Sequence, residues 1–419
     1  MSAENKPAAV AAPAAANPQM STSEKPSLAT RLLGGSFGLS LGALIAALFL
    51  GGVLIALTDP ATQKASSYFF ARPLDTLAAA WKSATNAYIA MFHGSIYNPN
   101  AKSFTASIRP LTETLTVATP LIFAGLAVAL PFRAGMFNIG AQGQIILGAL
   151  VSGYVGFTYD LPAPVLILMV VLGGMVGGAL WGGLVGLLKA KTGAHEVILS
   201  IMLNYIAANL ILLLLKTPGF QREGSSNPIS PILPEGALFP LLLGKGFRLH
   251  WGFILAIVAV IFAAWLINRS TVGFRLRAVG ANPHAARTAG INVSNGYIVV
   301  MAIAGALAGL AGAAQVAGTE KVLTTGIAAT FGFDAITVAL LGRAKPWGTF
   351  FAALLYGAFR AGGVTMQVET GTNIDIVLVV QALIVLFIAA PPLVRTIFRL
   401  PDPENPKKAS SKISLQEAK

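Results

Sequence analysis

Apolar residues gather along the chain into ten runs separated by polar breaks: 34–57, 112–131, 139–157, 163–188, 196–215, 249–267, 295–317, 328–341, 347–366 and 374–397. The first is 24 residues without a charge. It is too long for a signal-peptide core and has no small-residue cleavage site after it, so it is expected to stay as a spanning helix. Nine of the runs can cross about 30 Å of hydrocarbon at about 1.5 Å per residue, but 328–341 is too short and is expected to be broken or re-entrant. The pattern predicts an all-α polytopic membrane protein of about ten transmembrane helices. Residues 58–111 are mixed, with an amphipathic patch over 74–92 expected to lie on the outer membrane face or pack on the helices.

The sharpest polar interruption is RAVGANPHAARTAGINV, residues 277–293. Asn282 suits an N-cap, Pro283 the first helical position, Ala285, Ala286 and Ala289 the helix body, and Gly290 a left-handed stop. A complete short helix is therefore predicted outside the bilayer. It reads either as a docking knob for a cytoplasmic partner or as a basic loop that only sets topology.

Two glycine-rich stretches, GGMVGGALWGGLVG (173–186) and GALAGLAGAA (305–314), repeat small residues every four positions and predict close helix packing inside the bundle. Polar side chains at membrane depth need a partner or a wet cavity. Asn138, Gln142, Gln144, Glu196, Asn204 and Asp334 are the candidates for a translocation pathway, with Asn209, Gln315, Arg360 and Gln381 also in apolar runs. For each amide the competing reading is a helix-to-helix hydrogen bond.

Composition agrees with the pattern: 55% of residues are hydrophobic, 11% are charged and the mean hydropathy is +0.71, too few charges to coat a soluble surface. The net charge of +13 would suggest nucleic acid in a soluble protein, but topology accounts for it here. With the N-terminus inside, the predicted cytoplasmic segments hold 18 of the 29 Lys and Arg, four of them, Arg269, Arg275, Arg277 and Arg287, in the loop around 269–294. Positive-inside bias therefore gives N-in and C-in. The expected organisation is a disordered cytoplasmic tail over 1–33, a transmembrane domain over 34–400 and a cytoplasmic tail over 401–419.

Enzyme signatures are missing. There is no G-x-x-x-x-G-K-[ST] phosphate loop, and no Cys or H-E-x-x-H that would suggest a metal site. G-x-S-x-G occurs at 34–38, at the mouth of the first apolar run rather than after a strand, which removes the nucleophile reading. Energy for uphill transport must come from an ion gradient or from another subunit.

FNIGAQGQ (137–144), EVILSIMLNYIA (196–207), SSNPISP (225–231), the 277–293 segment and GFDAITVALLGR (332–343), in that order, resemble the permease subunits of bacterial ABC importers in the branched-chain amino acid, ribose and nucleoside superfamily. The similarity covers about 70–395 and is closest to the nucleoside, basic-membrane-protein-linked branch. It implies a multi-pass subunit of the bacterial inner membrane carrying a small polar solute, a nucleoside or simple sugar. The implied partners are a second permease, two cytoplasmic ATPases that bind the ATP and Mg, and an extracytoplasmic binding protein or lipoprotein. No cofactor is implied for this chain, nor any nucleic-acid partner.

The resemblance also makes the capped segment a coupling helix seated in the ATPase, carried here by Gly280, Asn282, Pro283, Ala285, Ala286, Arg287, Ala289, Gly290 and Ile291. Gln142 stands where that family has Glu, and His195 where Asn is usual. The alternatives are a gradient-driven secondary transporter or channel, with Glu196, Asp334 and Arg360 as relay groups, and a membrane scaffold.

Overall fold

In the computed structural model, described over residues 36–399, each of the ten apolar runs is helical. The helices in chain order are α1 (Ser36–Thr58), α2 (Pro60–Ser66), α3 (Pro73–Ser95), α4 (Phe104–Arg133), α5 (Ala141–Thr158), α6 (Ala163–Thr192), α7 (Glu196–Leu214), α8 (Gly252–Arg269), α9 (Thr271–Ala281), α10 (Pro283–Thr288), α11 (Val293–Ala313), α12 (Phe331–Leu341), α13 (Pro346–Thr370), α14 (Asp375–Ala389) and α15 (Pro391–Phe398). Among the described residues, extended pairing is limited to isolated bridges, Ile229 with Thr324 and Leu241 with His250. The tails expected over 1–33 and 401–419 lie outside the described residues.

Among the described residues, six helices are long and apolar enough to cross a bilayer: α1, α4, α6, α7, α8 and α11 with its π-helical extension Ala314–Glu320. The chain is a multi-pass membrane protein. One expectation needs correcting at the last run, which is not a single helix: α14 and α15 meet at a 97° bend where Pro391 and Pro392 begin the second helix. Proline cannot donate to the preceding turn, so the ladder breaks there.

The core is organised on α4. Every residue from Ala118 to Pro131 is buried, as expected of a helix apolar on all sides and surrounded by others, here α3, α8, α11, α12 and α13. The amphipathic 74–92 patch lies in α3, which packs on α13 and α1; Tyr88 donates its hydroxyl to Leu48 O, and Met91 sits over Gly362. The two glycine-rich stretches face each other across α6 and α11. A Cβ on Gly305 would lie 2.1 Å from Gly178 O, and one on Gly309 1.9 Å from Gly174 O. Backbones approach that closely only without side chains, which is how membrane helices gain packing where lipid offers no hydrophobic contrast.

Helix α12 is too short to cross a bilayer by itself: its 11 residues reach about 16 Å. The chain before it is not helical and runs beside α5, where Leu323 lies against Gly153 and Ala329 reaches Gln142, 11 residues back along that helix. Ile327 N–H donates to Thr324 O, Ala329 N–H to Gly326 O and Phe331 N–H to Ala328 O, and Gln142 caps the end.

Contacts between loops fall into two sets. At one end Arg133 Nε donates to Ala344 O (3.0 Å), Gly280 packs on the turn at Arg133 and Ala134, and Phe137 N–H meets Glu196. At the other, Ser230 and Leu233 bond to Leu323 and Lys321, and Arg248 pairs with Glu113 at 3.2 Å.

Candidate functional site

The capped segment forms as its sequence dictates. Asn282 leaves the helical conformation, and its Oδ1 accepts from His284 N–H at 2.9 Å and Ala285 N–H at 3.1 Å. Pro283 occupies the first turn, where its missing N–H costs nothing. Gly290 follows α10 with φ of 80°, a conformation that a side chain would strain. From Ala281 to Gly290 every residue is exposed except Ala286, which enters a small apolar cluster with Val279 and Val293. Gly280 has no room for a side chain, because a Cβ would meet Arg133 O at 2.4 Å. α10 therefore projects as a short knob rooted by one alanine. A recess of about 830 Å³, lined by α9, α10 and the start of α11 and including Phe274, Ala285 and Ile291, opens beside it.

Most of the polar pathway candidates are engaged with one another or with backbone. Asn138 and Gln144 exchange two amide bonds (2.9 and 3.0 Å), and Asn138 also donates to Ala127 O. Asn204 accepts from Gly143 N–H and donates to Ile139 O, clamping the first turn of α5 to α7. Glu196, the first residue of α7, forms an ion pair with Lys189 across the α6–α7 turn, and His195 Nδ1 accepts from Val197 N–H as the N-cap. Gln142 bridges to Ala329 and Gly332.

Asp334 is placed differently. Its carboxylate accepts from Thr330 Oγ1 at 2.9 Å and lies 3.6 Å from Arg360 Nη1. The Arg360 guanidinium stacks over the Phe331 ring, with its carbon 4.6 Å from the centroid, and donates to Thr330 Oγ1. Arg360 is thereby paired, and it lines a cleft of about 890 Å³ between α3, α4, the π-helical segment, α13 and α14. At the rim Glu113 is held between Arg109 (3.9 Å) and Arg248 (3.2 Å); deeper in stand Gln315, Ala329, Phe331 and Gln381. The non-helical stretch before α12 thus forms part of the cleft wall.

His250 lies just before α8, outside the spanning helices, and is 1% exposed. Its Nδ1 accepts from Gly252 N–H at 3.1 Å, and Gly318 of the π-helical segment packs against the ring. Burial, assisted by the Arg248 charge, pulls its pKa down to about 4, so the imidazole is neutral.

Residues 111–389, from within α4 to the end of α14, match the family described as branched-chain amino acid transport system / permease component. The chain belongs to this family. The permease is 39% identical over 279 residues to a guanosine ABC transporter permease protein of Bacillus subtilis, covering 66% of this chain and 80% of that one. It is 36% identical over 292 residues to a nucleoside ABC transporter permease protein of Lactococcus lactis (68% and 80%) and 36% over 290 residues to a glucose ABC transporter permease protein of Haloferax volcanii (66% and 75%). The matched region contains the whole deep part of the cleft and the α9–α10 knob. The permease is a transporter subunit of the ABC class.

The sequence reading missed the rim charges. Arg248 and Glu113 are 135 residues apart, and each is an ordinary loop or helix-end charge until the fold joins them.

Proposed function

We propose that this permease carries an uncharged polar solute, a nucleoside or alternatively a simple sugar, inward across the bacterial inner membrane as part of an ATP-driven importer. The observation that carries the reading is the match over 111–389, which covers α10 and the cleft together with relatives named for guanosine, nucleosides and glucose. Around this chain stand a second permease, two cytoplasmic ATPases holding ATP and Mg, and an extracytoplasmic binding protein. The chain itself needs no cofactor.

The knob formed by Asn282, Pro283, Ala285, Arg287, Ala289 and Gly290 docks in the ATPase, with Gly280 and Ala286 fixing its base. Support comes from its exposure, its fixed caps and its rigid seat against the turn at Arg133. Ten crossings, broken before α12 and bent between α14 and α15, place both termini in the cytoplasm. That arrangement puts Arg133, Lys189, α10 and Ala344 on one side, and the Glu113–Arg248 pair with the Ser230–Leu323 contacts on the other, in keeping with the two sets of loop contacts. The region 34–400 is then one transmembrane domain between cytoplasmic tails at 1–33 and 401–419. Asp334, with Arg360, and Gln142 border the pathway, while Asn138, Gln144, Asn204 and Glu196 brace the helices beside it. A gradient-driven relay gains no support, since Glu196 pairs with Lys189 and Asp334 with Arg360, with no ion pair joining the two among the described residues.

The test is uptake by the complete importer in liposomes. Guanosine accumulation that requires internal or external ATP on the ATPase side, and stops in its absence, is the expected result. Accumulation by this chain alone under a proton or sodium gradient would overturn the reading.

A further inference from the structure

The cleft holds a polar group that the fold leaves without a partner. Gln381 of α14 is 5% exposed, and while its backbone carbonyl accepts from the Tyr356 hydroxyl at 3.2 Å, its side-chain Nε2 donates to nothing. A buried donor in that condition is costly, and native structures keep few of them. Asp334 is taken by Thr330 and Arg360, and Glu113 Oε2 by Arg248, while Glu113 Oε1, on the same cleft, is likewise buried without a hydrogen bond. Gln315, 6% exposed in the π-helical segment, lines the same cleft. π-helical turns are frequent at functional positions, and this one sets Gln315 in the cleft wall at the end of α11.

We infer that Gln381 is a solute-reading residue of the translocation cleft: its Nε2 donates to a carbonyl, ring nitrogen or hydroxyl oxygen of the passing solute, with Gln315 supplying the second amide. The inference rests on the importer reading above. It narrows the solute to an uncharged molecule rich in acceptors, such as a nucleoside. Each arginine of the cleft stands beside a carboxylate, Arg360 by Asp334 and Arg109 and Arg248 by Glu113, so no unpaired arginine is left to meet an anionic solute. An amide that finds its partner only when solute is present discriminates by the cost of leaving it unpaired.

The experiment uses the complete importer in lipid nanodiscs and liposomes at saturating binding protein, with guanosine, adenosine, uridine and glucose as probes. Gln381→Met keeps the length and removes the donor. For whichever probe the parent imports, molecules imported per ATP hydrolysed should fall about 3- to 10-fold, the loss of one neutral hydrogen bond. Basal ATPase activity and the melting temperature without solute should stay at the parent's level or rise, because the variant loses no protein contact of that nitrogen. An unchanged import ratio overturns the inference, and so does an import loss accompanied by a lower melting temperature, which would make Gln381 a structural brace. If the parent imports none of the four, the solute class proposed for the importer fails and the inference falls with it. Import by the parent with an equal Gln381→Met ratio sinks this inference alone.

Discussion

Gln142 accepts a hydrogen bond from Gly332 N–H at 2.9 Å, and its Nε2 donates to Ala329 O at 2.7 Å, so one side chain holds both edges of the break before α12. Only a group carrying a donor and an acceptor on one carbon can do this; a carboxylate at the same position would face the Ala329 carbonyl with a second lone pair. The restraint matters because Ala329 has φ of 39°, a left-handed conformation that costs a β-carbon residue energy.

Gln142→Leu should therefore loosen the segment 324–332 and destabilise the permease by about 1 kcal/mol, chiefly through the unpaired N–H of buried Gly332, since Ala329 is exposed. Hydrogen exchange read by mass spectrometry should show faster exchange in peptides covering that segment and parental exchange in α6 and α11. Uniform exchange across variant and parent would mean that Gln142 is not the restraint.

A second prediction concerns the paired glycines. Gly305→Val would drive a branched side chain into Gly178 O, where even a Cβ has 2.1 Å, so α6 and α11 must part. Almost no variant should survive detergent extraction as a monodisperse species. Gly183→Ala, one turn away on α6 and with 3.7 Å to the nearest atom of Ala302, should behave as the parent within about 0.5 kcal/mol. Equal behaviour of the two variants would refute the close-packed seam.

Much of this architecture was legible from the chain. Helix positions follow from apolar runs, the α10 caps from Asn282, Pro283 and Gly290, and the glycine seam from a four-residue repeat, all of them local signals. The shortness of α12 was legible in its apolar run. What holds the chain before that helix was not, because the partners of Gln142 lie 187 and 190 residues away and no local pattern marks them. The cleft was hidden for the same reason: Glu113, Gln315, Arg360 and Gln381 come from four elements, and only packing reveals which polar residues face one another and which face a void. The bend at Pro391 was missed because the run was carried on to the apolar Leu393, Val394 and Ile397, past the Pro-Pro step that breaks the ladder.

The knob should transmit force, and its surface residues can be separated from its root. Arg287 is exposed on α10, and Arg287→Glu reverses a charge without touching the apolar seat. The complete importer with this variant should assemble poorly with its ATPases or hydrolyse ATP without import, while the permease stays in the membrane with parental melting. Ala286→Leu, by contrast, overfills the Val279–Val293 cluster and should lower stability by about 1 to 3 kcal/mol as well as coupling. Parental import by Arg287→Glu would remove the docking role from α10.

His250 predicts a pH dependence with a definite sign. Buried beside Arg248, it has a folded pKa of about 4, below the ordinary 6.5, so between those values the unfolded chain binds the extra proton and the folded protein does not. Stability contributed by the neutral ring is therefore complete above about pH 6.5, falls as the pH drops toward 4, and changes no further below it. A shift of that size corresponds to roughly 3 kcal/mol. Protonation would also put a hydrogen on Nδ1, which accepts from Gly252 N–H, and so release the first turn of α8 from the loop that precedes it. Thermal unfolding in detergent from pH 7 to pH 4 should show a falling midpoint in the parent. His250→Phe fills the same volume against Phe239 and cannot titrate; it should start lower at pH 7, having lost the acceptor, and fall less steeply on acidification. Parallel slopes for parent and variant would show that acid acts elsewhere in the permease.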